Sequence, residues 1–128
     1  MTRYVVDSYA WIEYLEGSAS GARVEQMLGQ AEDRWTPTPV LAEVTSKVVR
    51  SGKDPAIAWQ ALRAWSTILP LDAETARSAG GLHAAYRSKI RDFDLTDAVV
   101  LAVSRKFSAR ILTGDPHFRG MKGVDFLA

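Results

Sequence analysis

The sequence predicts an α/β protein built on a central, mainly parallel sheet of four or five strands with helices on both faces. Two observations carry this. Short β-branched or apolar runs alternate with longer stretches of helical period, the pattern of strands joined by helical crossovers. One helical stretch, residues 95–107, is apolar on nearly every side from Ala98 to Val103, which suits a helix lodged between a sheet and other helices. No repeat, linker or low-complexity tract divides the 128 residues, and 47% hydrophobic residues suffice for one core.

Taken in order, "RYVVD" (residues 3–7) reads as a strand closing on an acid. In "SYAWIEYLEGS", Trp11, Ile12 and Leu15 share a helical face that Gly17 ends. From Ala22 a second helix follows Val24, Met27, Leu28 and Ala31, and "RWTPTP" supplies a short extended segment. A third helix, expected from near Val40, turns Val40, Leu41, Val44 and Val48 inward. Asp54 and Pro55 then look like the cap and first residue of a fourth, with Ile57, Ala58, Ala61, Leu62 and Trp65 as its buried face. "TILPL" is a short strand, and Asp72 caps a long helix whose stripe runs Ala76, Ala79, His83, Tyr86, Ile90. "LTDAVVLAVSRKF" is the buried helix, "ARILTGD" the last clear strand, and "VDF" a short edge strand.

The bulk numbers exclude more than they assign. A net charge of +1 gives no global field for a polyanion, and the lack of cysteine removes disulfides, thiolate chemistry and cysteine-based zinc sites. The apolar run near the N-terminus is broken by Asp7 and is too short for a signal peptide or membrane span. The expectation is a soluble cytoplasmic protein.

The placement of the acids is more informative. Two strands end in or just before one, Asp7 after "YVV" and Asp115 after "RILTG". In a parallel sheet both then lie at the carboxyl edge, where open α/β folds place their sites. Asp97 falls in the first turn of the buried helix and Glu43 one turn into the helix after "TPTP", so four acids can converge. Each also has an ordinary reading. Asp7 or Ser8 can cap the first helix, Asp94 the helix holding Asp97, and Asp115 the turn at Pro116. Glu43 can pair with Lys47 for roughly 0.3–0.5 kcal/mol. Those readings leave unexplained why acids interrupt the apolar stretches "YVVDSYAW" and "VLAEV".

Two carboxylates about 4 Å apart repel by roughly 4 kcal/mol at an effective dielectric near 20, so a cluster of four calls for a cation. With oxygen donors only and no paired histidines, Mg²⁺ or Mn²⁺ is favoured over zinc. Such a site suits metal-assisted hydrolysis of a phosphodiester. Among the remaining candidates, His83 is read as packed and His117 as a solvent-facing turn residue near the acids. Arg87, Lys89 and Arg91 can contact phosphates, and a solvated helix end is at least as good a reading.

Together, "VVDSYAWIEYLEGS", "TPTPVLAEV", "LTDAVVLAVSRKF" and "ILTGDPHFRGMKGVDFL" resemble the PIN-domain ribonucleases, most closely the VapC toxins of toxin–antitoxin pairs. The resemblance spans nearly the whole chain, read as a single PIN-like domain over residues 1–128 with a three-layer fold. It maps the family's four acids onto Asp7, Glu43, Asp97 and Asp115, as catalytic residues and metal ligands. It implies a Mg²⁺-dependent endoribonuclease, a homodimer, and a cognate VapB-type antitoxin whose C-terminal segment covers the acidic pocket. By the same carry-over Ser8 and Thr113 are hydroxyl supports orienting Asp7 and Asp115. The chain departs from the family in having Thr96 where alanine is usual before the third acid, and in the extra Asp94, read as a cap.

Two other readings compete with this one. A phospho-receiver domain has similar layers and an acidic Mg²⁺ pocket, but it needs paired acids after the first strand and a phosphorylatable aspartate after the third, where "TILPL" leads only to Asp72. A catalytically silent PIN-like interaction module has no reason to keep all four acids.

Overall fold

The computed structural model describes residues 2–127. Five strands, β1 (Arg3–Val6), β2 (Asp33–Pro37), β3 (Thr67–Leu69), β4 (Arg110–Thr113) and β5 (Val124–Phe126), form one sheet in the order β3-β2-β1-β4-β5. Every neighbouring pair is parallel. The chain steps outward from β1 to β2 and β3, then returns to place β4 on β1's other side, so the winding direction reverses between β1 and β4. That reversal opens a crevice at the carboxyl ends of these two strands.

The helices are α1 (Ser8–Glu16), α2 (Ala19–Gly29), α3 (Thr38–Arg50), α4 (Pro55–Trp65), α5 (Ala73–Tyr86) and α6 (Leu95–Phe107). They cover the sheet in the expected three layers. α6 packs on β1, β2 and β4 and carries α5 on its outer side. Its residues Ala98 to Val103 are all buried, so the all-round apolar composition has a tertiary cause. The core runs from Val5 and Val6 through Trp11, Leu28, Val44 and Leu62 to Ile111, Leu112 and Phe118. Trp11 satisfies its buried indole N–H on Thr36 Oγ1 at 3.1 Å, and Thr36 is linked to Ser66 at 2.7 Å.

Most helix starts are local chemistry. Asp54 accepts from the Ala56 N–H at 2.9 Å and Asp72 from the Thr75 N–H at 2.7 Å, as their positions before α4 and α5 predict. α1 stops at Gly17, whose φ of 68° permits a left-handed cap. α3 begins at Thr38 rather than near Val40, because Pro39 is tolerated in a first turn where its missing N–H has no intrahelical partner.

Two expected faces are corrected. Ile57 points outward, 62% exposed, while Ala58 and Leu62 make α4's buried contacts; Ile57 instead lines an open groove with Leu15 and Val48. α5 ends at Tyr86, so Ile90 lies beyond it, and its buried positions are Thr75 and Ala79 whereas Ala76 is exposed. Alanine and glycine dominate this helix, and side chains of nearly equal polarity give periodicity little to grip.

α1 and α2 pack closely because residue 21 is glycine. A Cβ there would lie 2.1 Å from the Glu13 carbonyl oxygen and 2.8 Å from Tyr14 Cα, both backbone atoms that cannot swing aside. Gly21→Ala is therefore expected to destabilise the protein by about 1–3 kcal/mol, as forced overpacking does. A urea midpoint equal to that of the parent protein would contradict this contact.

Candidate metal centre at the β1–β4 crevice

Asp7 follows β1 directly, and its backbone N–H continues the ladder to Leu112 of β4 at 3.1 Å. The ladder fixes the carboxylate at the crevice, where it is 1% exposed. Thr113, the last residue of β4, is also buried, and its hydroxyl donates to Asp7 Oδ2 at 2.8 Å. Thr113 Oγ1 in turn accepts from the Asp115 backbone N–H at 3.0 Å. One hydroxyl thus ties the strand ends bearing Asp7 and Asp115.

Asp97 enters from α6. It is the third residue of a reciprocal capping box, with its N–H donating to Asp94 Oδ1 at 2.8 Å and its Oδ2 accepting from the Asp94 N–H at 3.0 Å. Asp94 is therefore a cap, as read from the sequence, and it also sets the direction of the Asp97 carboxylate. Asp115 begins a one-turn 3₁₀ helix (Pro116–Phe118), where its Oδ1 accepts from the His117 N–H at 2.9 Å.

Glu43 stands one turn into α3, half-buried, and accepts a hydrogen bond from the hydroxyl of Ser8, the residue after Asp7; its carboxylate is not among the ligand atoms that group with Asp97 and Asp115. Ser8 thus orients Glu43 and not Asp7, a difference from its expected role; α1 begins at Ser8 and turns that side chain toward α3. Asp7 occupies the cap position of α1 without making a side-chain cap, so capping does not account for this acid.

His117 differs most from expectation. It is not a solvent-facing turn residue: its side chain is 25% exposed, and Nδ1 lies 2.8 Å from Asp97 Oδ2 and 3.4 Å from Asp115 Oδ1. Its carboxylate partners come from α6 and the 3₁₀ turn, a meeting no local pattern encodes. The available signal was its place two residues after Asp115, in a turn begun by proline.

Burial is the main electrostatic influence in the crevice, and like charge adds to it. Burial, aided by the negative charges of Asp97 and Asp115, pushes the Asp7 carboxyl up to about 7 despite the Thr113 hydrogen bond. Burial, with the charge of Asp94, pushes Asp97 up to about 6, opposed by the Asp94 backbone and His117. Burial alone would lower His117, but the hydrogen bond to Asp97 and the charges of Asp97, Asp115 and Asp94 raise it. Single ligand atoms of Asp97, Asp115 and His117 lie within 4.8 Å of one another. Two carboxylates at that spacing beside the buried Asp7 are the hard oxygen donors a Mg²⁺- or Mn²⁺-sized cation fits, and the imidazole adds a nitrogen compatible with Mn²⁺.

These shifts share one sign. Folded-state pKa values raised above the unfolded ones mean that the metal-free protein gains stability on protonation and loses it as pH rises through the folded values. For Asp7 the window runs from near 4 to about 7. Without divalent cations, unfolding free energy should fall between pH 5 and pH 8, by as much as on the order of 3 kcal/mol from Asp7 alone, and Asp7→Asn should flatten the slope. Urea titrations in EDTA at the two pH values test this; a flat parent profile would refute it.

The model of the PIN domain family matches residues 4–124. Among solved structures, the chain resembles a toxin–antitoxin complex from Klebsiella pneumoniae, with 18% identity, TM-score 0.77, and 98% of each chain covered. It also resembles VapC20 from Mycobacterium tuberculosis, described as a sarcin-ricin loop cleaving toxin, with 20% identity, TM-score 0.77, and 94% of this chain and 96% of that one covered. A third is VapBC2 from Rickettsia felis bound to a promoter DNA fragment, with 14% identity, TM-score 0.73, and coverage of 98% and 97%. No curated protein matches the chain.

Proposed function

Because this chain belongs to the PIN-domain family, we propose that it is a VapC-type endoribonuclease toxin that hydrolyses RNA phosphodiester bonds with a divalent cation. The observation that carries the reading is the crevice itself: ligand atoms of Asp97, Asp115 and His117 lie within 4.8 Å of one another, and the buried Asp7 is tied to the Asp115 backbone through the Thr113 hydroxyl. Neither helix capping nor ion pairing explains such an acid. A receiver-like signalling role is disfavoured, since Asp72 is occupied as the α5 cap and in an ion pair with Lys106 at 3.1 Å.

Asp7, Asp97 and Asp115 would hold the cation, with Glu43 as a direct or water-mediated fourth ligand. When bound, the cation supplies Lewis-acid charge for the phosphate and lowers the pKa of an attacking water. Thr113 keeps Asp7 aimed into the crevice, Ser8 does the same for Glu43, and the capping box fixes Asp97. His117 Nδ1 lies within hydrogen-bond distance of Asp97 Oδ2 and helps to position it. Hydrolysis adds water across one P–O bond, leaving a phosphate monoester on one fragment and a hydroxyl on the other.

We further infer a cognate VapB-type antitoxin, an RNA substrate and a homodimer. The structural neighbours include toxin–antitoxin complexes, and an antitoxin arginine placed on the acidic pocket would neutralise the carboxylates that a metal uses. Among the described residues no helix is long and apolar enough to cross a membrane.

Asp7→Asn should abolish cleavage of total RNA and weaken Mg²⁺ binding, while the metal-free variant is as stable as the parent or more so, because burial of charge and repulsion are relieved together. Gel analysis with Mg²⁺, Mn²⁺ or EDTA, with calorimetric metal titration, tests this. Undiminished cleavage by the variant would remove the basis of the mechanism.

A further inference from the structure

We propose that the Tyr9 ring is a stacking platform for an unpaired nucleobase of the RNA, next to the phosphate that is cut. The inference rests on the nuclease reading and adds to it a substrate contact that does not depend on charge. Tyr9 stands in the first turn of α1, two residues after Asp7, and is 37% exposed. Part of its ring is fixed against the crevice. A Cβ on Gly114 would lie 2.3 Å from Tyr9 Cε1 and 2.8 Å from Cδ1. Gly114 does not adopt a positive φ. Glycine at that position is thus set by the close approach of the Tyr9 ring together with the Leu127 carbonyl oxygen, 2.9 Å from such a Cβ, and not by the backbone conformation.

The ring therefore touches the backbone that joins Asp115 to Thr113, whose hydroxyl holds Asp7. The other three tyrosines have their hydroxyls engaged: Tyr4 with Asp125, Tyr14 with Trp65 and Tyr86 with Arg105. Tyr9 has no such partner among the described residues. It presents a rigid, partly open aromatic surface on the rim of an acidic pocket.

A cation held by the carboxylates meets only the phosphate that is cut, and a net charge of +1 gives no global field to hold the rest of the strand. Stacking on an aromatic face recognises a base whatever its sequence and is a common means of holding splayed single-stranded RNA. The Tyr9 face is placed to supply that binding where the carboxylates cannot.

A series of single-stranded RNA oligonucleotides carrying 2-aminopurine at successive positions reads this directly, with Ca²⁺ replacing Mg²⁺ to hold back cleavage. Stacking on Tyr9 should quench the fluorophore at one position. Tyr9→Leu, which keeps apolar packing over Gly114 but has no π face, should lose that quench and raise the KM for cleavage about tenfold, within the range of base–aromatic stacking. Tyr9→Phe should restore the quench. Equal quenching and KM in parent and Tyr9→Leu would overturn the inference alone. So would loss of both in Tyr9→Phe, which would assign the effect to the hydroxyl. A parent protein that neither binds nor cuts RNA would overturn the nuclease reading, and this inference with it.

Discussion

The fold is organised around charge confined to one crevice. Three carboxylates, from the end of β1, α6 and the turn after β4, face the place where the sheet reverses its winding, and burial makes the ionised forms of Asp7 and Asp97 costly. The surrounding structure meets this by hydrogen bonding. Thr113 serves Asp7 and the Asp115 backbone, the α6 capping box serves Asp97, and His117 lies between Asp97 and Asp115. These contacts orient the acids but do not offset the burial of charge beside like charge, which holds Asp7 and Asp97 above the ordinary carboxylate range. Without a cation the crevice is a destabilised element inside an otherwise well-satisfied core, in which no buried side-chain polar atom of the described residues lacks a partner.

Rigidity around the crevice has identifiable sources. α6 is buried along most of its length and cannot rotate Asp97 away without disturbing Val100 or Ala102. β4, whose end carries Thr113, is flanked by β1 and the short edge strand β5. β5 is secured where Asp125 takes a hydrogen bond from Tyr4 and an ion pair from Arg110 at 2.7 Å. The Tyr4 hydroxyl is held well above its ordinary pKa by burial and by the Asp125 carboxylate. A three-residue strand at a sheet edge has little ladder of its own, and these side chains supply the register.

Local chemistry was the legible part of the chain. Strand–helix alternation gave the layered parallel architecture, and Asp54, Asp72 and Asp94 announced their helices because capping needs only neighbours in sequence. The order of acids after "YVV" and "RIL" located Asp7 and Asp115, since strand ends share an edge whatever the loop details. What escaped depends on approach between distant segments. The Ser8–Glu43 hydrogen bond is set by how α3 crosses α1, the His117–Asp97 contact by how a turn meets a helix, and Gly21 by the separation of two helices. Ile57 misled because its spacing fits an inward face, yet the groove beside it stays open. In α5 the stripe failed because alanine and glycine scarcely differ in what burial gains.

The two most buried acids have unequal reasons to exist. Asp97 closes the first turn of α6 by returning a hydrogen bond to the Asp94 N–H, so it serves the helix whether or not RNA is ever cut. Asp7 makes no cap and lowers stability while charged. In a lineage that abandoned catalysis, selection for folding alone would hold the first carboxylate in place and let the second drift to a neutral side chain. Retention at position 7 is therefore the more telling mark of a working enzyme.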